Sequence, residues 1–300
     1  MRDYIQLLRP TQWIKNLAVL AGPAFALELF ESQSLVNVGI AFAAFCLASS
    51  ASYAINDTLD READARHPSK RHRPVARGAI RPASAVLFGL VLLGGGMGLS
   101  LACLPLLPTV AVGAHFVLIL AYSVALKRRV ILDVIVIATG FVLRALAGAA
   151  AAGVFISPWL VICTFTICMF MGFGKRRCEL AAFDTAVEAH QHRSTLLRYT
   201  PEFLNHLTSV TAGIAIITFI LYTMDTTSHQ PPFAKQHLLY TLPLVVYGVF
   251  RYAMLTESGR LTGPTEILLK DRAFLATVLA WAACAAAIIY EKQLLGWMGR

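Results

Sequence analysis

The sequence predicts an all-α integral membrane protein of nine transmembrane helices, on three observations. Apolar residues make up 57% of the chain and charged residues only 14%, a balance foreign to a soluble domain of this length. The apolar residues gather in stretches of about 17–25, the length that crosses a bilayer as a helix. None of the stretches shows the period-two alternation of a membrane β-barrel strand.

The nine stretches fall near 14–30, 35–55, 83–104, 107–126, 131–152, 157–174, 207–225, 237–255 and 273–290. The first follows a polar-aromatic lead-in, Arg9-Pro10-Thr11-Gln12-Trp13, and contains Pro23 and Glu28, so its ends are the least defined. The eighth contains Pro243 and closes near Arg251. The N-terminus has no basic start, short apolar core and small-residue cleavage site of a signal peptide. One transmembrane domain over residues 1–300 is therefore expected, without a separate soluble domain. Gly94-Gly95-Gly96-Met97-Gly98 carries small residues at four-residue spacing and predicts close helix packing.

Basic residues set the orientation. All but Lys235, Lys292, Arg300 and the intraspan Arg144 of the 26 Lys and Arg residues lie in the N-terminal segment and the even-numbered loops. The positive-inside rule then puts the N-terminus in the cytoplasm and the C-terminus outside. The net charge of +9 follows topology and forms no basic domain, which argues against nucleic acid and for anionic headgroups and phosphorylated substrates. Cys46, Cys103, Cys163, Cys168, Cys178 and Cys284 form no CxxC pair and read as packing residues. The two long cytoplasmic loops, about 57–82 and 175–206, are where function is expected.

The first of these loops opens on Asn56-Asp57-x-x-Asp60-x-x-x-Asp64. On an ideal helix these four side chains span an arc of roughly 100°. Three carboxylates and a carboxamide on one face repel one another unless a hard cation joins them, and Mg²⁺ commonly bridges such carboxylates to substrate phosphates. A diphosphate substrate at the membrane surface is the expectation; a solvated acidic helix end neutralised by nearby arginines is the alternative.

Cations recur near every cytoplasmic boundary. Lys70, Arg71 and Arg73 follow the acidic motif closely enough to fold over a bound diphosphate, or else serve only topology. Lys15 and Asn16 open the first span, as substrate contacts or as an interfacial anchor with Trp13. Tyr122 and Lys127 end the fourth span with the same two readings. Arg144, near mid-span, costs roughly 2.5–3.5 kcal/mol on insertion scales and must face the bundle interior and find a partner; it is either structural glue or a wall of an acceptor cavity. Lys175, Arg176 and Glu179 offer phosphate binding or a four-residue-spaced salt bridge. His115, His67 and His72 have no metal-ligand spacing and read as packing or loop residues.

The acidic motif at the end of the second of nine spans resembles that of the UbiA superfamily of intramembrane prenyltransferases. More narrowly, Leu8-Arg9-Pro10-Thr11-Gln12-Trp13-Ile14-Lys15-Asn16, His67-Pro68-Ser69-Lys70-Arg71-His72-Arg73-Pro74, Leu143-Arg144-Ala145-Leu146-Ala147-Gly148 and Gly174-Lys175-Arg176-Arg177-Cys178-Glu179-Leu180 resemble the decaprenyl-phosphate phosphoribosyltransferase branch. Aromatic prenyltransferases of the superfamily usually carry a second pair of aspartates after the sixth span; here that stretch reads Lys175-Arg176-Arg177-Cys178-Glu179, then Ala181-Ala182-Phe183-Asp184. A basic stretch there suits a substrate with more phosphate.

The resemblance implies a UbiA-type bundle in a bacterial cytoplasmic membrane, with its active site facing the cytoplasm. It implies transfer of phosphoribose from 5-phosphoribosyl diphosphate to a polyprenyl phosphate, with the decaprenyl chain expected, giving a precursor of lipid-linked arabinose for the cell wall. Asp57, Asp60 and Asp64 would be catalytic and, with Asn56, would hold one or two Mg²⁺ ions, Mn²⁺ being an alternative. Lys15, Asn16, Asn56, Lys70, Arg73, Tyr122, Lys127, Arg144, Lys175, Arg176 and Glu179 would bind substrate. Membrane lipid is a further partner, and a homo-oligomer is an assembly open to enzymes of this shape. Two other readings stand beside this one: an ordinary prenyltransferase using a prenyl diphosphate and a small acceptor, and a non-enzymatic lipid-binding or transport protein.

Overall fold

The computed structural model describes residues 2–29, 31–66, 70–181, 198–225, 233–258 and 263–298. His67, Pro68 and Ser69, together with residues 182–197 of the loop 175–206, Asp184 among them, lie outside the described residues. Among those described, every regular element is helical. Among the described residues eight helices are long and apolar enough to cross a membrane, so the chain is a multi-pass membrane protein, in accord with the predicted all-α class. The contacts divide into two compact units, residues 1–24 with 28–156 and residues 25–27 with 157–300.

The first unit begins with α1 (Arg2–Leu8), a 3₁₀ helix (Pro10–Leu20) and the short α2 (Ala21–Phe25), which ends at the edge of the unit. This is the predicted first span, and it is not a single long helix. Pro23 supplies no backbone donor, and the Glu28 amide turns back to the Pro23 carbonyl at 3.1 Å. The spanning helices α3 (Ser32–Leu59), α5 (Pro82–Cys103), α6 (Leu106–Val124) and α7 (Leu132–Ala151) follow, with the short α4 (Arg61–Arg66) after α3.

Small residues decide which helices lie inside. Alanines 41, 44, 48, 51 and 54 of α3 are fully buried, and α3 and α7 are each 61% buried against 17% for α5. The glycines of α5 that meet α3 are Gly89 and Gly96, two turns apart: a Cβ on Gly96 would lie 3.0 Å from the Ala44 carbonyl oxygen. Gly94, Gly95 and Gly98 have open space where a Cβ would be, so the close packing expected of the glycine run falls to Gly96 alone within it. Leu87, Val91 and Leu101 of α5 point outward, each more than 60% exposed, as a hydrocarbon-facing surface requires. Gly148 of α7 meets the 3₁₀ helix so closely that a Cβ would lie 1.7 Å from the Val19 carbonyl oxygen.

The second unit is built from α8 (Pro158–Ala181), α9 (Pro201–Met224), a 3₁₀ turn (Lys235–Thr241) leading into α10 (Leu242–Glu257), α11 (Pro264–Lys270), α12 (Arg272–Ile289) and α13 (Glu291–Met298). Phe170, Cys178, Ala212, Val249, Tyr252 and Ile267 form one of its cores. Tyr252 packs over Gly174, where a Cβ would come within 2.6 Å, and donates its hydroxyl to the Met171 carbonyl at 2.9 Å. Asp271 caps α12 by accepting from the Phe274 amide at 2.7 Å. All six cysteines are free thiols.

Candidate active site

The acidic motif sits where α3 ends. The helix closes at Leu59, with Asp60 as its cap, and α4 restarts at Arg61. Backbone bonds from Asp60 N to Asn56 O and from Asp64 N to Asp60 O, at 2.9 and 2.8 Å, carry the turn across the break. Asp57 and Asp64, seven residues apart, therefore stay on one side, 2% and 4% exposed. Asp60 takes the Lys127 ammonium at 2.7 and 2.8 Å.

The loop after α4 returns because two of its apolar residues are anchored. Val75 and Ile80 sink into a core with Leu7 of α1, Ala54 of α3 and Ala85 of α5. Gly78, at φ 78°, makes the turn between them. This return carries Arg73 onto the motif, with Nη1 2.6 Å from Asp64 Oδ2 and 3.2 Å from Asp57 Oδ1. Lys70 is half-buried one turn earlier, in the 3₁₀ turn Lys70–His72.

Arg9 completes the cluster, and sequence reasoning assigned it no role. Its guanidinium donates to the same Asp57 Oδ1 and lies over the Tyr53 ring, 4.9 Å from the centroid. The backbone of Arg9 is left-handed, φ 51° and ψ 60°, a conformation costing a non-glycine residue of order 1–3 kcal/mol. It is held on α3 by its neighbours: Ser50 donates to the Leu8 carbonyl at 2.8 Å and the Trp13 indole donates to Ser50 at 3.1 Å. Burial pushes the Arg9 guanidinium down from its ordinary value, and Asp57 pushes it back up. The available signals were its place in the Leu8–Asn16 stretch that carries the resemblance and its position directly before Pro10.

A second polar group lies deeper in the same unit. Asn16, 1% exposed, accepts at Oδ1 from Arg144 Nε at 2.8 Å and from Ser49 at 3.4 Å, and donates to Cys46 Sγ at 3.3 Å. Arg144 also donates to the Gly140 carbonyl at 2.8 Å, meets His115 Nε2 at 3.2 Å and stacks near Phe45 and Phe141. The α3 partners of Asn16, Cys46 and Ser49, precede Asp57 by eleven and eight residues of one helix, about 16 and 12 Å along its axis. Asn16 and Arg144 are thus brought together, as the intramembrane charge required, but apart from the carboxylates. Lys15 is exposed, and Tyr122 is half-buried near the end of α6.

In the second unit the i,i+4 pair, one of the two readings of this stretch, is present, Lys175 to Glu179 at 3.7 Å. Arg176, 2% exposed, reaches the same carboxylate. Arg177 donates to Asn205 at 2.9 Å. The basic stretch is therefore an ordered ion-pair network at the end of α8.

As the side chains stand, no three His, Cys, Asp or Glu among the described residues converge to hold a metal ion. The chemistry of the donor set nevertheless fits a hard cation. Asp57 and Asp64 offer only oxygens, and a single positive group, the Arg73 guanidinium, bridges them.

Comparison with known proteins identifies the family. The sequence profile of the UbiA prenyltransferase family matches residues 17–261. Decaprenyl-phosphate phosphoribosyltransferase of Corynebacterium glutamicum is 32% identical over 95% of this chain and 86% of that protein. The enzyme of the same name from Mycolicibacterium smegmatis is 32% identical over 95% of this chain and 92% of its own. A UbiA homolog from Archaeoglobus fulgidus, solved bound to DMAPP and Mg²⁺, shares the fold at a TM-score of 0.73 and 18% identity, over 96% of this chain and 99% of that one. The profile, the full-length relatives and the helical architecture agree: the chain belongs to the UbiA prenyltransferase family.

Proposed function

We propose that this protein transfers phosphoribose from 5-phosphoribosyl diphosphate to a polyprenyl phosphate, decaprenyl phosphate by its relatives' name, releasing diphosphate. The observation that carries this reading is the match, over 95% of the chain, to relatives named decaprenyl-phosphate phosphoribosyltransferase. The site chemistry supports it. Asp57, Asp60, Asp64 and Asn56 would hold Mg²⁺, one or two ions with Mn²⁺ as an alternative, and bound Mg²⁺ would neutralise charge on the departing diphosphate.

The protein's own groups do the rest by positioning and preorganised charge. Arg73 and Lys127, which pair with the motif, and Lys70, in the turn that precedes Arg73, are the cations for the donor's phosphates. Lys175 and Arg176 carry the same chemistry in the second unit, held by Glu179. The donor's bond between the anomeric carbon and diphosphate oxygen breaks as an anionic oxygen of the lipid phosphate attacks the opposite face. No strong general base is required, and the product is the inverted β-linked polyprenyl-phosphoryl 5-phosphoribose. Lys15, Asn16, Tyr122 and Arg144 are assigned to the acceptor side or its support.

This reading takes residues 1–300 as one catalytic domain, supported by a family profile that runs through both units. The positive-inside distribution supports a cytoplasmic face for the motif, an inner cytoplasmic membrane, an internal N-terminus and an external C-terminus. The test is purified protein with Mg²⁺, radiolabelled phosphoribosyl diphosphate and decaprenyl phosphate. A labelled lipid that disappears with EDTA, and in folded Asp57→Asn or Asp64→Asn variants, supports the assignment. Consumption of a labelled prenyl diphosphate instead replaces it with prenyl transfer, and turnover of neither leaves a binding or transport role.

A further inference from the structure

We propose that Arg9, together with Arg73, is an exchangeable counter-ion: metal binding to Asp57 and Asp64 displaces the two guanidinium groups, which then take the donor's phosphates. The proposal rests on the metal and diphosphate reading above and adds a coupling between the two ligands. Three observations carry it. Asp57 Oδ1 accepts from both arginines at once, and Arg73 also bridges to Asp64. A cation arriving at these carboxylates must therefore compete with two positive groups already in place. Arg9 also occupies a left-handed backbone position that glycine would hold with less strain, so its side chain accounts for the residue being there.

The second consequence follows from charge. Each guanidinium freed from a carboxylate presents a planar fork of donors suited to phosphate oxygens. Tyr53 beneath Arg9 offers a face on which the released group can stay close to the site. Metal and donor should then each tighten the binding of the other, and by linkage the factor is the same in both directions. Arg9 therefore weakens metal binding when no phosphate is present and strengthens donor binding when metal is present.

Opposite signs distinguish this role from a structural one. Mn²⁺ binding to the full-length protein is measured by electron paramagnetic resonance without any phosphate ligand, for wild type, Arg9→Gln and Arg9→Lys. The expected result is tighter Mn²⁺ binding in Arg9→Gln by about fivefold or more, the lower end of ordinary coupling factors, with Arg9→Lys in between. At saturating Mg²⁺ the same substitution raises the KM for phosphoribosyl diphosphate. Weakened or unchanged Mn²⁺ binding in both folded variants overturns the exchange. Failure of the underlying reading looks different: wild type then binds no Mn²⁺ that Asp57→Asn and Asp64→Asn abolish.

Discussion

Gly148→Ala is the substitution whose outcome the packing defines most sharply. Its added methyl would lie 1.7 Å from the Val19 carbonyl oxygen, 2.6 Å from the Val19 carbonyl carbon and 2.9 Å from Val19 Cγ1. Ordinary contact begins near 3.4 Å, and two of the three atoms are backbone, so no rotamer change relieves the overlap. Either α7 or the 3₁₀ helix Pro10–Leu20 must move by more than an ångström. Overpacking of this kind typically costs about 1–3 kcal/mol, and more where backbone must move. That 3₁₀ helix also carries Asn16 and continues from Arg9, and misplacing catalytic groups by about 1 Å can lower turnover on the order of 10²-fold. The assay is thermal unfolding and phosphoribosyl transfer for a graded series. Gly98→Ala, with open space, should be neutral or stabilising by up to about 1 kcal/mol from helix propensity. Gly96→Ala, 3.0 Å from the Ala44 carbonyl oxygen, should be intermediate, and Gly148→Ala worst. Wild-type stability and turnover in Gly148→Ala, or a reversed order, would refute the packing.

Three further outcomes follow from individual contacts. Asn16→Ala leaves buried Arg144 and Ser49 without their shared acceptor and should cost about 1–3 kcal/mol, measured by chemical unfolding in detergent; a change within error would show that Arg144 does not depend on it. Asp60→Asn and Lys127→Met should be non-additive by about 0.5–3 kcal/mol in a double-mutant cycle on transfer activity, whereas additivity would mean that the pair does not act together. Arg251 and the Phe274 amide hold the Asp271 carboxyl below its ordinary value. The stability it contributes is thus complete above the unfolded value of about 3.9 and is lost as pH falls through the lower folded one. Asp271→Asn should be less stable than wild type at neutral pH, with the gap closing as pH falls from about 5 towards about 3; a constant gap would exclude the ion pair as its source.

Much of the fold was legible because bilayer thickness constrains helix length directly. The long helices α3, α5, α6, α7 and α12 start and end within a few residues of the predicted stretches. The first stretch was not legible as a broken element, because hydropathy ignores the missing donor of Pro23 and the path its break imposes. The acidic motif was visible from spacing alone, but the pairing of Asp60 was not. That pairing depends on Lys127, 67 residues away. Arg9 was hidden for the same kind of reason. Its pairing with Asp57 depends on Ser50 and Trp13 fixing α1 against α3. Arg144 was readable as a buried charge in need of partners, while its partner Asn16 stands 128 residues away in sequence.

The most direct measurement offers the purified protein phosphoribosyl diphosphate, a prenyl diphosphate and decaprenyl phosphate together in the presence of Mg²⁺, and identifies the lipid product by mass spectrometry. The account predicts decaprenyl phosphate enlarged by one phosphoribosyl group, with stoichiometric diphosphate and none of this product in folded Asp57→Asn or Asp64→Asn protein. A prenylated product with the phosphoribosyl diphosphate untouched would contradict it.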